Sequence, residues 1–362
     1  MRQTILFLAF LGMLLGMPES PWALAASTRP TSDTLSPVTR PQLVYTTFEG
    51  ATSSIWIAPI ATLPRARLLA TIDQQPGFGA RGRVSPKGDV IAYLALPVGS
   101  RDPASQGELW VLSTLGGSPR TISGGFDMLS PPLWSPDGTR VALRQVSDGD
   151  IGFTFVAIDV TSGAMTTLAA NDDALSGQPI GWAGDAFYYS TITPRGTDVY
   201  RVDGASASTL AFHASDGIAR DFRISPTEDR LLYAEMSPGD PAPRSVVISL
   251  SGQPQPERLS GAFSSVWSGG TITAGTTQSS LPQQHEGVST LQQTLGSAPL
   301  PANTLMAPLA WSQDNRYLAA QLLNGDTPSR ATASALVVLS PGGASPAIVA
   351  PGGYAEFAGW AQ

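Results

Sequence analysis

One short segment recurs seven times along the chain, and its period restricts the fold more than any other feature. Each copy is an apolar anchor, then Ser, Ala or the chain end, then a turn, then a β-type run. The anchors are Val84, Trp134, Trp182, Ile224, Trp267, Trp311 and Trp360, spaced by 50, 48, 42, 43, 44 and 49 residues. A period in the forties with β-type patterning is the signature of a β-propeller, with one four-stranded blade per repeat. The expected fold is therefore all-β: a seven-bladed β-propeller of four-stranded antiparallel blades.

The fuller copies share an order of parts. The anchor is followed by Ser85-Pro86-Lys87-Gly88, Ser135-Pro136-Asp137-Gly138, Ser225-Pro226-Thr227-Glu228 or Ser312-Gln313-Asp314-Asn315. Pro sets φ early in such a turn, and Gly or Asn tolerates positive φ late in it. Trp182 and Trp267 have shorter turns, Gly184-Asp185 and Gly269-Gly270, which suit tight hairpins. Third strands are expected at 108–112, 153–160, 198–202, 245–250 and 335–339, and fourth strands at 120–122, 165–168, 209–212, 257–259 and 347–349. The sixth blade must draw its third and fourth strands from about residues 289–300, which contain Gln292 and Gln293.

The ends of the chain supply a check. Leu43-Val44-Tyr45 reads like the second strand Val90-Ile91-Ala92-Tyr93, so the first blade lacks an inner strand. Trp360 lies two residues from the end with no strand after it. The first blade is therefore expected to be closed by the C-terminal strand, about residues 354–362, which removes two open sheet edges. Of the eight Trp, five are anchors, Trp56 and Trp110 occupy matching third-strand positions, and Trp22 lies near the N-terminus. Repeat-locked Trp reads as packing between blades rather than as a sugar-binding stripe.

Ahead of the repeats, Arg2 precedes a thirteen-residue apolar run, and Ala23-Leu24-Ala25 offers a small-x-small cleavage site. Residues 1–26 read as an export signal rather than a membrane span. Residues 27–41 read as a flexible Ser/Thr/Pro-rich leader, and 42–362 as the propeller domain. The expected location is periplasmic or extracellular, with no stable membrane insertion after cleavage. There is no Cys, so neither a disulfide nor a lipidated cysteine is available. The net charge of −7 argues against nucleic acid as partner, because that role needs basic surface to displace counterions.

Trp134-Ser135-Pro136-Asp137-Gly138-Thr139-Arg140-Val141-Ala142 resembles the signature repeat of TolB-type (WD40-like repeat) propellers. Leu109-Trp110-Val111-Leu112, with Gly116-Gly117-Ser118-Pro119-Arg120-Thr121-Ile122, resembles the segment that follows it there, as does Ile158-Asp159-Val160-Thr161-Ser162-Gly163. The resemblance covers most of 42–362 and implies the propeller fold. TolB-type proteins proper also carry an N-terminal α/β domain, for which the residues ahead of 42 leave no room.

Chemistry is sparse. No Gly-x-Ser-x-Gly nucleophile elbow occurs, and the two His, His213 and His285, lie far apart in the repeat. That distance argues against a His-rich metal site. Asp148, Asp150 and Asn171-Asp172-Asp173 lack the spacing of a calcium loop and read as hairpin tips. No catalytic residue, metal or cofactor is expected.

The remaining signal is an asymmetry of loops. Connections after second strands are long at 97–107, 237–244, 276–288 and 324–332, whereas turns after first and third strands are short. Long loops crowded on one face of a rigid scaffold are a usual place for binding. Inner strands begin on that face, with the charged residues Arg81, Arg83, Arg220, Asp221, Arg223 and Glu356 near the expected channel mouth. These six are the candidate partner-contact residues. The expected function is a non-enzymatic binding or scaffold propeller engaging a protein or peptide. The alternative is a carbohydrate-active or hydrolytic propeller, which a cluster of three or more carboxylates or His at the channel would favour.

Overall fold

Each long turn after an anchor is closed by its own serine. Ser85, Ser135, Ser225 and Ser312 are buried. Their backbone N–H groups donate to Val90, Arg140, Arg230 and Tyr317 across six residues, at 2.7, 2.9, 2.8 and 2.7 Å. The hydroxyls donate to acid side chains within the turn: Asp89 (2.7 Å), Asp137 (2.6 Å), Asp229 (3.0 Å) and Asp314 (2.6 Å). The Ser135 hydroxyl and then the Thr139 backbone N–H hold the Asp137 carboxyl down to about 2. Four residues past the anchor the backbone is left-handed, with φ 76 at Gly88, 70 at Gly138, 60 at Glu228 and 54 at Asn315. Glycine is free there and the other two carry a strain that the turn's hydrogen bonds hold in place.

The computed structural model describes residues 41–362 except 64, 101–105, 129, 146–151, 172–175, 205–206, 237–242, 253, 260, 277–286, 292–303, 326–329, 341–345 and 352–354. The strands, in chain order, are β1 (Gln42–Glu49), β2 (Thr52–Pro59), β3 (Arg67–Asp73), β4 (Arg81–Val84), β5 (Val90–Ala95), β6 (Gly107–Ser113), β7 (Arg120–Phe126), β8 (Leu133–Trp134), β9 (Arg140–Gln145), β10 (Phe153–Asp159) and β11 (Met165–Asn171). Then come β12 (Ser176–Ala183), β13 (Ala186–Thr193), β14 (Gly196–Asp203), β15 (Thr209–Ser215), β16 (Ile218–Ile224), β17 (Arg230–Met236), β18 (Arg244–Ser249) and β19 (Glu257–Leu259). The last group is β20 (Ala262–Ser268), β21 (Thr271–Thr276), β22 (Val288–Thr290), β23 (Thr304–Trp311), β24 (Leu318–Asn324), β25 (Thr332–Leu339), β26 (Ala347–Pro351) and β27 (Ala355–Ala361).

These strands form all-β sheets whose neighbouring strands are antiparallel, except for β21 and β22. The sheets β12–β15, β16–β19 and β23–β26 each run in chain order. The first sheet has the order β27-β1-β2-β3, so the C-terminal strand does join the N-terminal sheet. Leu43 pairs with Trp360 and Val44 with Gly359. Trp360 is 7% exposed. β4–β7 and β8–β11 are joined into one eight-stranded sheet through Phe126 and Gln145.

Packing between sheets follows the repeat. The Trp134 indole N–H donates to Arg83 O (2.9 Å), Trp267 to Arg223 O (2.9 Å) and Trp360 to Ala310 O (3.2 Å). Each acceptor is the residue just before the preceding anchor, so one sheet's inner strand reads the next at a fixed position. Gly359 lies where a Cβ would stand 2.7 Å from Val84 Cβ, and its φ is +147. That close approach lets the first inner strand press on the second. Stacked cross-strand aromatics recur on the blade faces, with centroids 6.5 Å apart for Tyr45–Trp56, 6.3 Å for Tyr93–Trp110 and 5.3 Å for Tyr189–Tyr200. Trp56 and Trp110 stack on a tyrosine of their own sheet and also join the apolar clusters shared with the neighbouring sheet, so they too pack between sheets, as the anchors do.

Two expectations are corrected. The three-stranded sheet β20-β21-β22 is not a regular four-stranded antiparallel unit among the described residues, because β22 pairs with β21 in parallel, Ile272 with Val288. A parallel partner cannot follow its neighbour through a tight turn; the chain returns after residues 277–286. Most fourth strands run past their expected ends, as in Arg120–Phe126, because a bulge absorbs an extra residue within the pairing. β8 keeps only two residues, because Pro131 and Pro132 ahead of it offer no N–H to a ladder. The expected export signal, the leader up to residue 40, His285, Asp148, Asp150, Asp172, Asp173 and much of the four long loops lie outside the described residues.

Candidate functional site

The inner strands carry bulges just ahead of the anchors, and these decide which side chains meet. In β27 the extra residue is Ala358, in β12 Ile180 and in β23 Leu309. In β16 the register slips between Arg220 and Arg223. Asp221 sits in that slip with φ 58, the one left-handed non-glycine among the described residues that is not in a repeat turn. A bulge re-aims a strand's side chains, and strain of this kind gathers where a constellation is being set.

A cavity of about 650 Å³ lies where β4, β8, β12 and β16 converge. Arg81, Arg83, Gln178, Asp221 and Arg223 line it together with Pro131, Pro132 and Pro179. A second cavity of about 280 Å³ shares Asp221 and Arg223 and adds Arg220. The β16 bulge therefore forms the wall between the two. Glu356 lines neither cavity but reaches Arg83, with 3.3 Å between its carboxylate and Nη1. Five of the six sequence-predicted residues thus line these two cavities, and Glu356 joins them only through Arg83.

The register also places them at one end of the sheets. Arg81 pairs with Leu94 near the close of β5, and Arg220 with Ala234 near the close of β17. The connections after β5 and β17 leave from that same end. Arg223 is half-buried, and its Nη1 donates to Leu309 O at 2.9 Å. Burial pushes its guanidinium pKa down; Asp221 opposes that, and the like charge of Arg83 adds to it. An Arg keeps its proton even so, and a desolvated charge is costly unless it is paired.

The prolines and Gln178 were not among the predicted residues. Their signal was available in the chain, since Pro131-Pro132 and Pro179 stand shortly before Trp anchors.

His213 lies elsewhere, on β15. Its Nδ1 is 2.7 Å from Asp198 Oδ1 and its Nε2 is 3.2 Å from Asp216 Oδ1. The Asp198 hydrogen bond, with help from Asp216, raises its pKa against partial burial. Among the described residues no group of three or more His, Cys, Asp or Glu is placed to hold a metal ion.

No family model matches the chain, and no curated protein matches it. Solved structures do. TolB from Acinetobacter baumannii superposes with a TM-score of 0.51 at 10% identity, over 88% of this chain and 66% of that one. A prolyl endopeptidase superposes at 0.55 with 13% identity, over 87% of this chain and 50% of that one. The β-propeller domain of the trilobed protease from Pyrococcus furiosus gives 0.49 at 12% identity, over 85% of this chain and 98% of that one. The chain spans just under two thirds of the TolB structure and half of the endopeptidase. Identities this low carry the fold alone, and that fold is a β-propeller similar to TolB.

Proposed function

We propose that this propeller is an exported, non-enzymatic binding or scaffold module that engages a protein or peptide at the face carrying the long connections. The observation that carries the reading is the lining of the larger cavity. Its charged residues are three arginines and one aspartate, set among prolines, Gln178 and Trp134. General acid–base work or glycoside cleavage calls for paired carboxylates or a placed His, and the alternative reading needs such a cluster. Arginine and tryptophan are the residue types that dominate contact energy at protein interfaces.

The same proposal counts seven blades. Its support is the seven anchors, the division of the eight-stranded sheet into β4–β7 and β8–β11, and the anchor indoles that link successive inner strands. Export rests on the apolar run and the Ala-Leu-Ala site near the N-terminus.

The test is site-specific photocrosslinking in the producing cell. A benzophenone side chain is placed at Pro131 by the cavity, at Val98 in the connection after β5, or at Met165 on an outer strand. Discrete adducts with one protein from positions 131 and 98, and none from 165, are the expected result. Adducts from 165 alone, or glycan or peptide turnover by the purified chain, would overturn the reading.

A further inference from the structure

The two cavities around the β16 bulge have an unusual charge balance for this chain. Their combined described lining carries Arg81, Arg83, Arg220 and Arg223 against Asp221 alone, while the whole chain is at −7. Arg83 and Arg223 come from strands in different sheets, β4 and β16, and they repel one another across the space. Like charges gathered in a partly desolvated cavity do not stabilise a fold; an anion placed between them offsets their cost.

The molecule already shows the matching chemistry. The Glu356 carboxylate sits 3.3 Å from Arg83 Nη1, longer than the ~2.7–2.9 Å of a tight charge-assisted bond. Both side chains remain open to solvent, 36% for Arg83 and 43% for Glu356. It is a loosely held internal carboxylate that an incoming one can displace. The cavity has room for a side chain: about 650 Å³ falls within the range of ordinary ligand sites. Its proline walls add no backbone N–H donors, so the guanidiniums are the charged donors a carboxylate would meet, beside the side chains of Ser130 and Gln178.

We infer that this cavity seats a carboxylate side chain from an acidic segment of the partner, held between Arg83 and Arg223 in exchange for Glu356. The inference rests on the binding-module reading and names the chemistry the partner brings.

The probe is fluorescein-labelled hexaglutamate with an amidated end, compared with hexaglutamine by fluorescence anisotropy. The hexaglutamate is expected to bind and the hexaglutamine not, with affinity falling on the order of tenfold as salt shortens the screening length. Arg223→Gln should weaken binding about tenfold, the loss of one charge-assisted contact. Glu356→Gln should tighten it several-fold, a gain that a misfolded variant cannot produce. Equal binding of the two peptides, or a Glu356→Gln variant no tighter than the parent, would sink the inference. So would complete displacement by millimolar inorganic phosphate, which would make this a small-anion site. A crosslinked partner whose capture ignores Arg223→Gln overturns the carboxylate while the binding module stands. Hexaglutamate binding with no crosslinked partner upholds the carboxylate and removes that module.

Discussion

The first sheet and the three-stranded sheet solve the same packing problem in opposite ways. In the first, β1 pairs with β2 over eight positions and with β27 over six, and Trp56 stacks on Tyr45. In the other, β21 pairs with β22 over three positions, in parallel, and β21 reads Thr-Ile-Thr-Ala-Gly-Thr with no aromatic. The neighbours come in to compensate. A Cβ on Gly275 would stand 2.8 Å from Met306 O, so the following sheet approaches the bare backbone. Trp311 donates to the Thr273 hydroxyl at 3.0 Å, where Trp134, Trp267 and Trp360 use a carbonyl. Arg230 lies over the Trp267 ring at 4.8 Å. The lesson is that a sheet whose described strands pair as briefly as these can still be held by its neighbours, since each packs mainly against the next.

The contrast is broken most severely at the strands themselves. Ending the chain at Pro351 removes β27 and with it the inner strand of the first sheet. The expected outcome is loss of the single cooperative transition in urea, read by circular dichroism. Ser289→Pro removes a donor from the parallel pair instead, since Ile272 bonds to the residues on either side of Val288, and should cost about 2 kcal/mol while one transition remains. If both variants unfold alike, the two sheets are equally essential and the contrast fails.

A smaller effect sharpens it. Gly359→Ala forces a Cβ into Val84 at a positive φ, and should cost about 2–3 kcal/mol. Gly270→Ala, in the turn of the three-stranded sheet, meets nothing within 4 Å and should fall within about 0.5 kcal/mol of the parent. Denaturation midpoints measure both.

The smallest effect lies outside both sheets, at His213. Its folded pKa is raised above the unfolded value near 6.5. The protonated ring between Asp198 and Asp216 therefore adds stability that is full below that value and is lost as pH rises through the folded pKa. His213→Asn should flatten this slope in melting temperature measured across neutral pH. With the side chain 43% exposed, the step is small, and an unchanged slope would remove His213 from the account.

Much of this was legible in the chain because it is local and repeated. The serine turns and the indole anchors recur at intervals of 42 to 50 residues, and the unfilled first sheet announced the C-terminal strand. What was hidden depends on partners distant in sequence. Nothing near Val288 says that it will pair in parallel with Ile272. Arg81, Arg83, Arg220, Asp221, Arg223 and Glu356 were readable as charges at the starts of inner strands. That the β16 bulge would set Asp221 and Arg223 between two cavities was not, because residue spacing does not reveal a left-handed Asp inside a strand. Asp216 near His213 is visible in sequence, whereas Asp198 meets it only through the register of β14 and β15.

Gln42 and Ala361 are cross-strand partners, and this orders events in time. A ribosome makes the earliest strand long before the one that completes its sheet. Until Ala355–Ala361 emerges, β1 offers a naked margin to any passing strand, including one from a neighbouring nascent chain. Growth of the polypeptide is therefore decoupled from its final locking, and slow, late closure becomes the step a chaperone has most reason to guard.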